Sequence, residues 1–206
     1  MVIDNVVIYT EQESFCPGMV VTEQDKIKDI VRKDTKDYVE KRKAYLADEF
    51  QSFVDGKGAY LIPGMIDIHL HGCKGYDFCD GSLEAVEKIA KYQASIGVTT
   101  MALATMTLSV ERLQEILKQG AAYCEKKERG ENVTYADLAG INMEGPFISV
   151  KKCGAQNADY ILNPEEALFW IFQESSQGLV KYMGIAPEQD GSLEFIRELK
   201  DEVRIT

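Results

Sequence analysis

The chain has 206 residues, 45% of them apolar, with 23 Lys and Arg against 34 Asp and Glu, a formal net charge of −11. That length and apolar content suffice for a real core in one large or two modest domains. The acidic balance, with no offsetting stripe of cations, argues against a nucleic-acid or anionic-membrane partner.

No apolar stretch approaches a membrane span, and the opening Met1-Val2-Ile3-Asp4-Asn5 lacks the basic and apolar regions of a signal peptide. Five cysteines (Cys16, Cys73, Cys79, Cys124 and Cys153) are an odd number without a CxxC pair. They read as reduced thiols, and the protein as a soluble one of the cytoplasm.

Residues 1–58 read as a small N-terminal β domain with a charged helical insertion. Val2 to Tyr9 and Met19 to Thr22 are strand-like runs joined by a turn-rich stretch at Pro17-Gly18. Residues 25–50 are heavily charged, yet Ile27, Ile30, Val31, Tyr38, Tyr45 and Phe53 keep a rough helical spacing. This predicts a solvated amphipathic helix lying on the β domain; a charged partner-binding helix is the alternative.

Residues 59–206 alternate strands with helices. The apolar run Leu61 to Ile66 reads as a buried strand leading into Asp67-Ile68-His69-Leu70-His71-Gly72. A helix opens at Ser82, with Leu83, Val86, Ile89 and Ala90 on one face and Gly97 as its stop. Strand Val98 to Ala104 leads to a helix capped by Ser109, burying Leu113, Ile116, Leu117, Ala121 and Cys124. A strand from Leu138 to Met143 precedes a helix starting at Asn163-Pro164-Glu165-Glu166, where Asn163 caps and Pro164 suits the first position. A strand from Leu179 to Ala186, a short helix from Ser192 to Lys200, and a strand beginning at Val203 complete the series. Repeated βα units with apolar strands imply a parallel sheet flanked by helices. A (β/α)₈ barrel and an open doubly wound sheet both fit; the lack of GxGxxG after the first strand weakens a nucleotide-binding version.

Chemistry concentrates in two places. The only two histidines, His69 and His71, are separated by one residue at a strand end, so strand alternation sends both to one face together with Asp67. Two converging imidazoles make a pair of metal ligands; an ordinary polar strand face is the bland alternative. Glu144, in Gly140-Ile141-Asn142-Met143-Glu144-Gly145-Pro146-Phe147, stands where the third strand ends, on the rim where barrel enzymes gather their ligands. It can complete the metal site. Cys73 and Cys79 lie near the histidines and could form a loose Cys/His zinc knuckle, but no cysteine has an evident general base, so a catalytic thiol is not expected. Lys151-Lys152-Cys153-Gly154-Ala155-Gln156-Asn157 reads on spacing alone as a polar loop.

These residues together resemble a known family. Leu61 to Gly72 is similar to the opening signature of the amidohydrolase superfamily. Combined with Met143-Glu144-Gly145-Pro146-Phe147, the Lys-Lys-x-Gly-Ala loop and Ile185-Ala186-Pro187-Glu188, it resembles the N-acetylglucosamine-6-phosphate deacetylases from about residue 58 onward. The resemblance implies an α/β fold, an incomplete (β/α)₈ TIM-type barrel (about its first half) preceded by part of a small β-sandwich assembled from both chain ends. It implies hydrolysis of the acetamide of N-acetylglucosamine 6-phosphate to glucosamine 6-phosphate and acetate. The implied cofactor is a divalent metal, often zinc, as one or two ions. A homodimer is implied for the full-length enzyme.

By position, Glu144 matches the family's metal-binding glutamate, and His69 and His71 the paired ligands of a second metal in some members. Ala155 and Gln156 match the sugar-contacting pair, although a histidine often stands at the position of Gln156. Asn142 likewise replaces a frequent histidine, and Asp67 suits orientation of the ligands. Two further metal-binding histidines, the catalytic aspartate and the phosphate-binding residues lie beyond the point matching Thr206, so no catalytic base is identified within the chain. The expectation is an N-terminal portion of such an enzyme, inactive alone. Alternatives are a deacetylase of another amino-sugar phosphate, another amidohydrolase, or a non-catalytic fragment that assembles with a second polypeptide.

Overall fold

The computed structural model describes residues 1–48 and 52–206, in two compact units, Met1–Pro63 and Gly64–Thr206. In the first unit, strand β1 (Val2–Tyr9) alternates buried Val2, Asp4, Val6 and Ile8 with more exposed neighbours, as a strand with one covered face must. It pairs antiparallel with β2 (Phe15–Glu23), which pairs antiparallel with β3 (Lys26–Arg32). Two short strands, β4 (Phe53–Asp55) and β5 (Tyr60–Leu61), run parallel to β1.

The helix expected over residues 25–50 is therefore confined to α1 (Tyr38–Leu46); Ile27, Ile30 and Val31 lie on β3 and Phe53 on β4. Ladder bonds to β2, with Ile30 opposite Val20 and Val31 opposite Met19, override the helical spacing of those apolar residues. Positions 49 and 50, the end of that expected helix, lie outside the described residues. No residue of α1 is buried; it is held instead by Tyr38 and Tyr45 against the Val2, Met19, Val21 and Val31 cluster. The Arg42 guanidinium also grips the buried Asp4 carboxylate, with Nη2 2.5 Å from Oδ2. A carboxylate at 2% exposure requires such a partner.

The second unit is built on a parallel, partly curled sheet of five strands. They are β6 (Met65–Leu70), β9 (Val98–Thr105), β10 (Asp137–Met143), β11 (Val180–Met183) and β12 (Arg204–Ile205), in spatial order β12-β11-β10-β9-β6. A hairpin of β7 (Gly72–Cys73) and β8 (Tyr76–Asp77) follows β6. Helices α2 (Leu83–Ser95), α3 (Val110–Glu128), α4 (Glu166–Ser175) and α5 (Ser192–Leu199) connect the parallel strands. One core joins them, with Val86 and Ile89 of α2, Leu113, Ile116 and Leu117 of α3, and Phe169 and Phe172 of α4 against Met101, Leu103, Ile141 and Met143.

Ser82 and Ser109 cap α2 and α3 as expected, accepting from Ala85 and Arg112 backbone N–H groups at 3.2 and 3.3 Å. The next helix departs from expectation. It begins at Glu166 with Glu165 in the capping position, and Asn163 lies outside it, exposed, because Pro164 and Glu165 remain non-helical. The burial expected of the Leu61 to Ile66 run is also overturned. The run is not one strand: Leu61 ends β5, Ile62 (52% exposed) lies between strands, and Met65 and Ile66 on β6 are 49% and 67% exposed, where among the described residues nothing pairs with the outer edge of β6.

Candidate metal centre

Three side chains from two non-adjacent strands meet at one end of the sheet. His69 lies on β6, His71 directly follows it, and Glu144 directly follows β10, with β9 in between. Strand alternation brings the two imidazoles to one side, with Nε2 atoms 3.3 Å apart. Glu144 Oε2 stands 3.3 Å from His69 Nε2 and 2.9 Å from His71 Nε2. Among the described residues this is the one group of three or more His, Cys, Asp or Glu side chains whose ligand atoms converge closely enough to hold an ion.

The spacing suits a small divalent metal. A tetrahedral site with metal–ligand bonds of about 2.0–2.1 Å has edges of about 3.3–3.4 Å, close to the observed separations. Two imidazole nitrogens and a carboxylate oxygen are the donor set of a borderline ion such as zinc. His71 Nδ1 is buried without a hydrogen-bond partner, which leaves Nε2 as the nitrogen that meets its neighbours. In a metal-free pocket the same contacts are hydrogen bonds sharing the imidazole protons.

The backbone around the three is fixed from several sides. The Asp67 carboxylate accepts the His69 backbone N–H at 3.1 Å, so it orients the strand end rather than touching a ring. Asn142 of β10 reaches over β9 and donates to the Ile68 carbonyl at 3.2 Å. Its register partner on β9 is Ala104, whose single methyl leaves room for that crossing. The sequence gives Asn142 no evident role; a short amide opposite an alanine is the one signal of this crossing.

The remaining predicted residues divide. Ala155 is exposed on the loop after β10. Gln156 is buried, its Oε1 accepting the Thr107 backbone N–H at 2.6 Å and its Nε2 donating to Met106 Sδ at 3.6 Å. Thr107 carries no distinctive motif, so nothing in the sequence marks it. Cys73 and Cys79 do not belong to the cluster of ligands. Cys79 Sγ instead accepts the Met106 N–H at 3.2 Å, and burial pushes its thiol up to about 11; burial likewise raises Cys73.

The chain is similar to known proteins along much of its length. N-acetylglucosamine-6-phosphate deacetylase of Bacillus subtilis is 32% identical over 202 residues, covering 98% of this chain and 48% of its own length. N-acetylgalactosamine-6-phosphate deacetylase of Escherichia coli O157:H7 is 30% identical, covering 69% of this chain and 36% of its own. A variant of the Mycobacterium smegmatis N-acetyl-D-glucosamine-6-phosphate deacetylase, solved in complex with N-acetyl-D-glucosamine-6-phosphate, superposes with a TM-score of 0.77 at 23% identity. It covers all of this chain and 48% of its own. The chain thus spans about half the length, or less, of the curated relatives it matches. No protein-family model matches it.

Proposed function

Since the chain belongs to the N-acetylglucosamine-6-phosphate deacetylase family, we propose that it supplies part of the active site of a metal-dependent amide hydrolase. The proposed reaction converts N-acetylglucosamine 6-phosphate and water to glucosamine 6-phosphate and acetate. The observation that carries this reading is the convergence of His69, His71 and Glu144 on one point. Those three residues would hold the ion, zinc by the chemistry of the donor set. Bound there, a divalent ion acidifies water and polarises an amide carbonyl, so that hydrolysis proceeds at neutral pH.

The chain's own residues have narrower tasks. His69 and His71 present Nε2, Asp67 and Asn142 hold the end of β6, and Glu144 brings negative charge that offsets the ion. The loop of Ala155 and Gln156 is proposed to meet the sugar through exposed Ala155 and the backbone, because the buried Gln156 amide is committed to Thr107 and Met106. The proton-transferring carboxylate, further histidine ligands and the phosphate anchors are proposed to come from residues beyond this chain. Hydrolysis needs a positioned acid/base, so the 206-residue chain alone should not turn over. A cytoplasmic dimer completes the proposal. No helix among the described residues is long and apolar enough to cross a membrane.

The test is acetate release from N-acetylglucosamine 6-phosphate by the chain extended to the length of its relatives. Glu144→Gln should lower kcat/KM by more than the roughly 100-fold that changes around a metal's ligands cost. Full activity in that variant would refute the reading. The Escherichia coli relative supports a second reading, in which the sugar is N-acetylgalactosamine 6-phosphate; the ratio of kcat/KM on the two phosphates decides between them.

A further inference from the structure

The Glu144 carboxylate is aimed by the peptide that follows β10, and residues remote in sequence hold that peptide. Thr107, at 2% exposure just beyond β9, lies against it. Its hydroxyl donates to the Glu144 carbonyl at 3.4 Å, and a Cβ on Gly145, whose φ is +92°, would collide with that hydroxyl. The Glu144–Gly145 peptide therefore sits where it does because Thr107 occupies the neighbouring space.

Thr107 is in turn fixed by Gln156. The 2.6 Å bond from the Thr107 N–H to Gln156 Oε1 is short for an amide donor, while the 3.4 Å hydroxyl contact is long. Most of the restraint thus runs through the backbone bond and the close fit at Gly145. Gln156 is itself only 9% exposed, with its backbone N–H on the Cys153 carbonyl at 3.0 Å. Met106, which receives the other end of its amide, is tied through its N–H to Cys79. Both ends of the Gln156 amide are therefore spent inside the protein, on the segment that abuts Glu144.

We propose that Gln156 is a positioning residue for Glu144, acting through Thr107, and that it sets where the carboxylate stands relative to His69 and His71. The inference rests on the reading of those three side chains as metal ligands. Substituting Gln156→Met keeps the length and removes the acceptor, leaving the buried Thr107 N–H unpaired. Substituting Thr107→Ala keeps the backbone bond and removes the groups packed against Gly145.

Zinc affinity, measured by competition with a chromophoric chelator, and the visible spectrum of the cobalt-loaded protein test the proposal. Gln156→Met should bind zinc roughly 10- to 100-fold more weakly than wild type, with a shifted cobalt band. Thr107→Ala should show a smaller loss, restored by Thr107→Ser. Wild-type affinity and spectrum in folded Gln156→Met overturn the proposal. If that variant does not fold, wild-type affinity in Thr107→Ala overturns it. A purely structural Gln156 would lower the unfolding midpoint and leave the affinity of the folded protein unchanged. Absence of zinc binding by the wild-type protein would sink both this proposal and the metal reading beneath it, whereas unaltered variants beside a zinc-binding wild type sink this one alone.

Discussion

Burial decides what the thiols packed against the core can do. Cys79 and Cys124 are packed against the main core, and burial pushes each thiol up to about 11. At pH 8 only about one part in a thousand of such a group is thiolate, the form that reacts. Iodoacetamide should therefore modify Cys79 and Cys124 roughly two orders of magnitude more slowly in the native protein than in the denatured chain. Peptide mapping by mass spectrometry over time measures this, and equal rates before and after denaturation would contradict it. The metal-ligand candidates were legible because their signal is local: alternation along β6 fixes both imidazoles, and the position after β10 fixes Glu144. The pairing of Gln156, expected only as a sugar contact, with Thr107 was not, because it joins loops 49 residues apart, and only the folded sheet end brings those loops together.

The same division runs through the elements. Serines at Ser82 and Ser109 announced α2 and α3, since a hydroxyl followed by a free helical N–H is a local signal. Lys26–Arg32 misled, because its apolar residues satisfy helical spacing as well as strand pairing, and the ladder with β2 that decides is a tertiary fact. At Asn163 the motif looked right, but the chain stays extended through Glu165, so the side chain meets no helical N–H. This yields a paired expectation. Ser109→Ala should cost about 1 kcal/mol, because it removes the acceptor for Arg112 N–H at the start of a 19-residue helix. Asn163→Ala should stay within about 0.5 kcal/mol of wild type, as surface changes without a cap usually do. Urea unfolding of the two variants provides the comparison, and a larger loss at Asn163 would show that its side chain caps α4 after all.

At the scale of the molecule, the five-stranded parallel sheet has two edges, β6 and β12, with no further strand paired to either among the described residues. Parallel strands are ordinarily covered on both faces and read as continuous apolar runs. A strand at this point of the chain was legible, but it was expected over Leu61 to Ile66 and lies at Met65–Leu70, and its exposure was not legible, because burial depends on neighbours that a local pattern does not contain. Leu70 packs against the core, while Met65, Ile66 and Ile68 stand 49%, 67% and 56% exposed along the edge. Apolar side chains beside unpaired backbone N–H and C=O groups form a template for further strands, and proteins ordinarily block such edges with charge. The 206-residue chain should therefore self-associate as its concentration rises, through β6 more than β12, whose two residues offer a short edge. Ile68→Lys places a charge on the β6 edge and should shift the distribution toward monomer in analytical ultracentrifugation, while Ile27→Lys, an exposed change on β3, should not. Equal association in wild type and Ile68→Lys would show that this edge is not the adhesive surface.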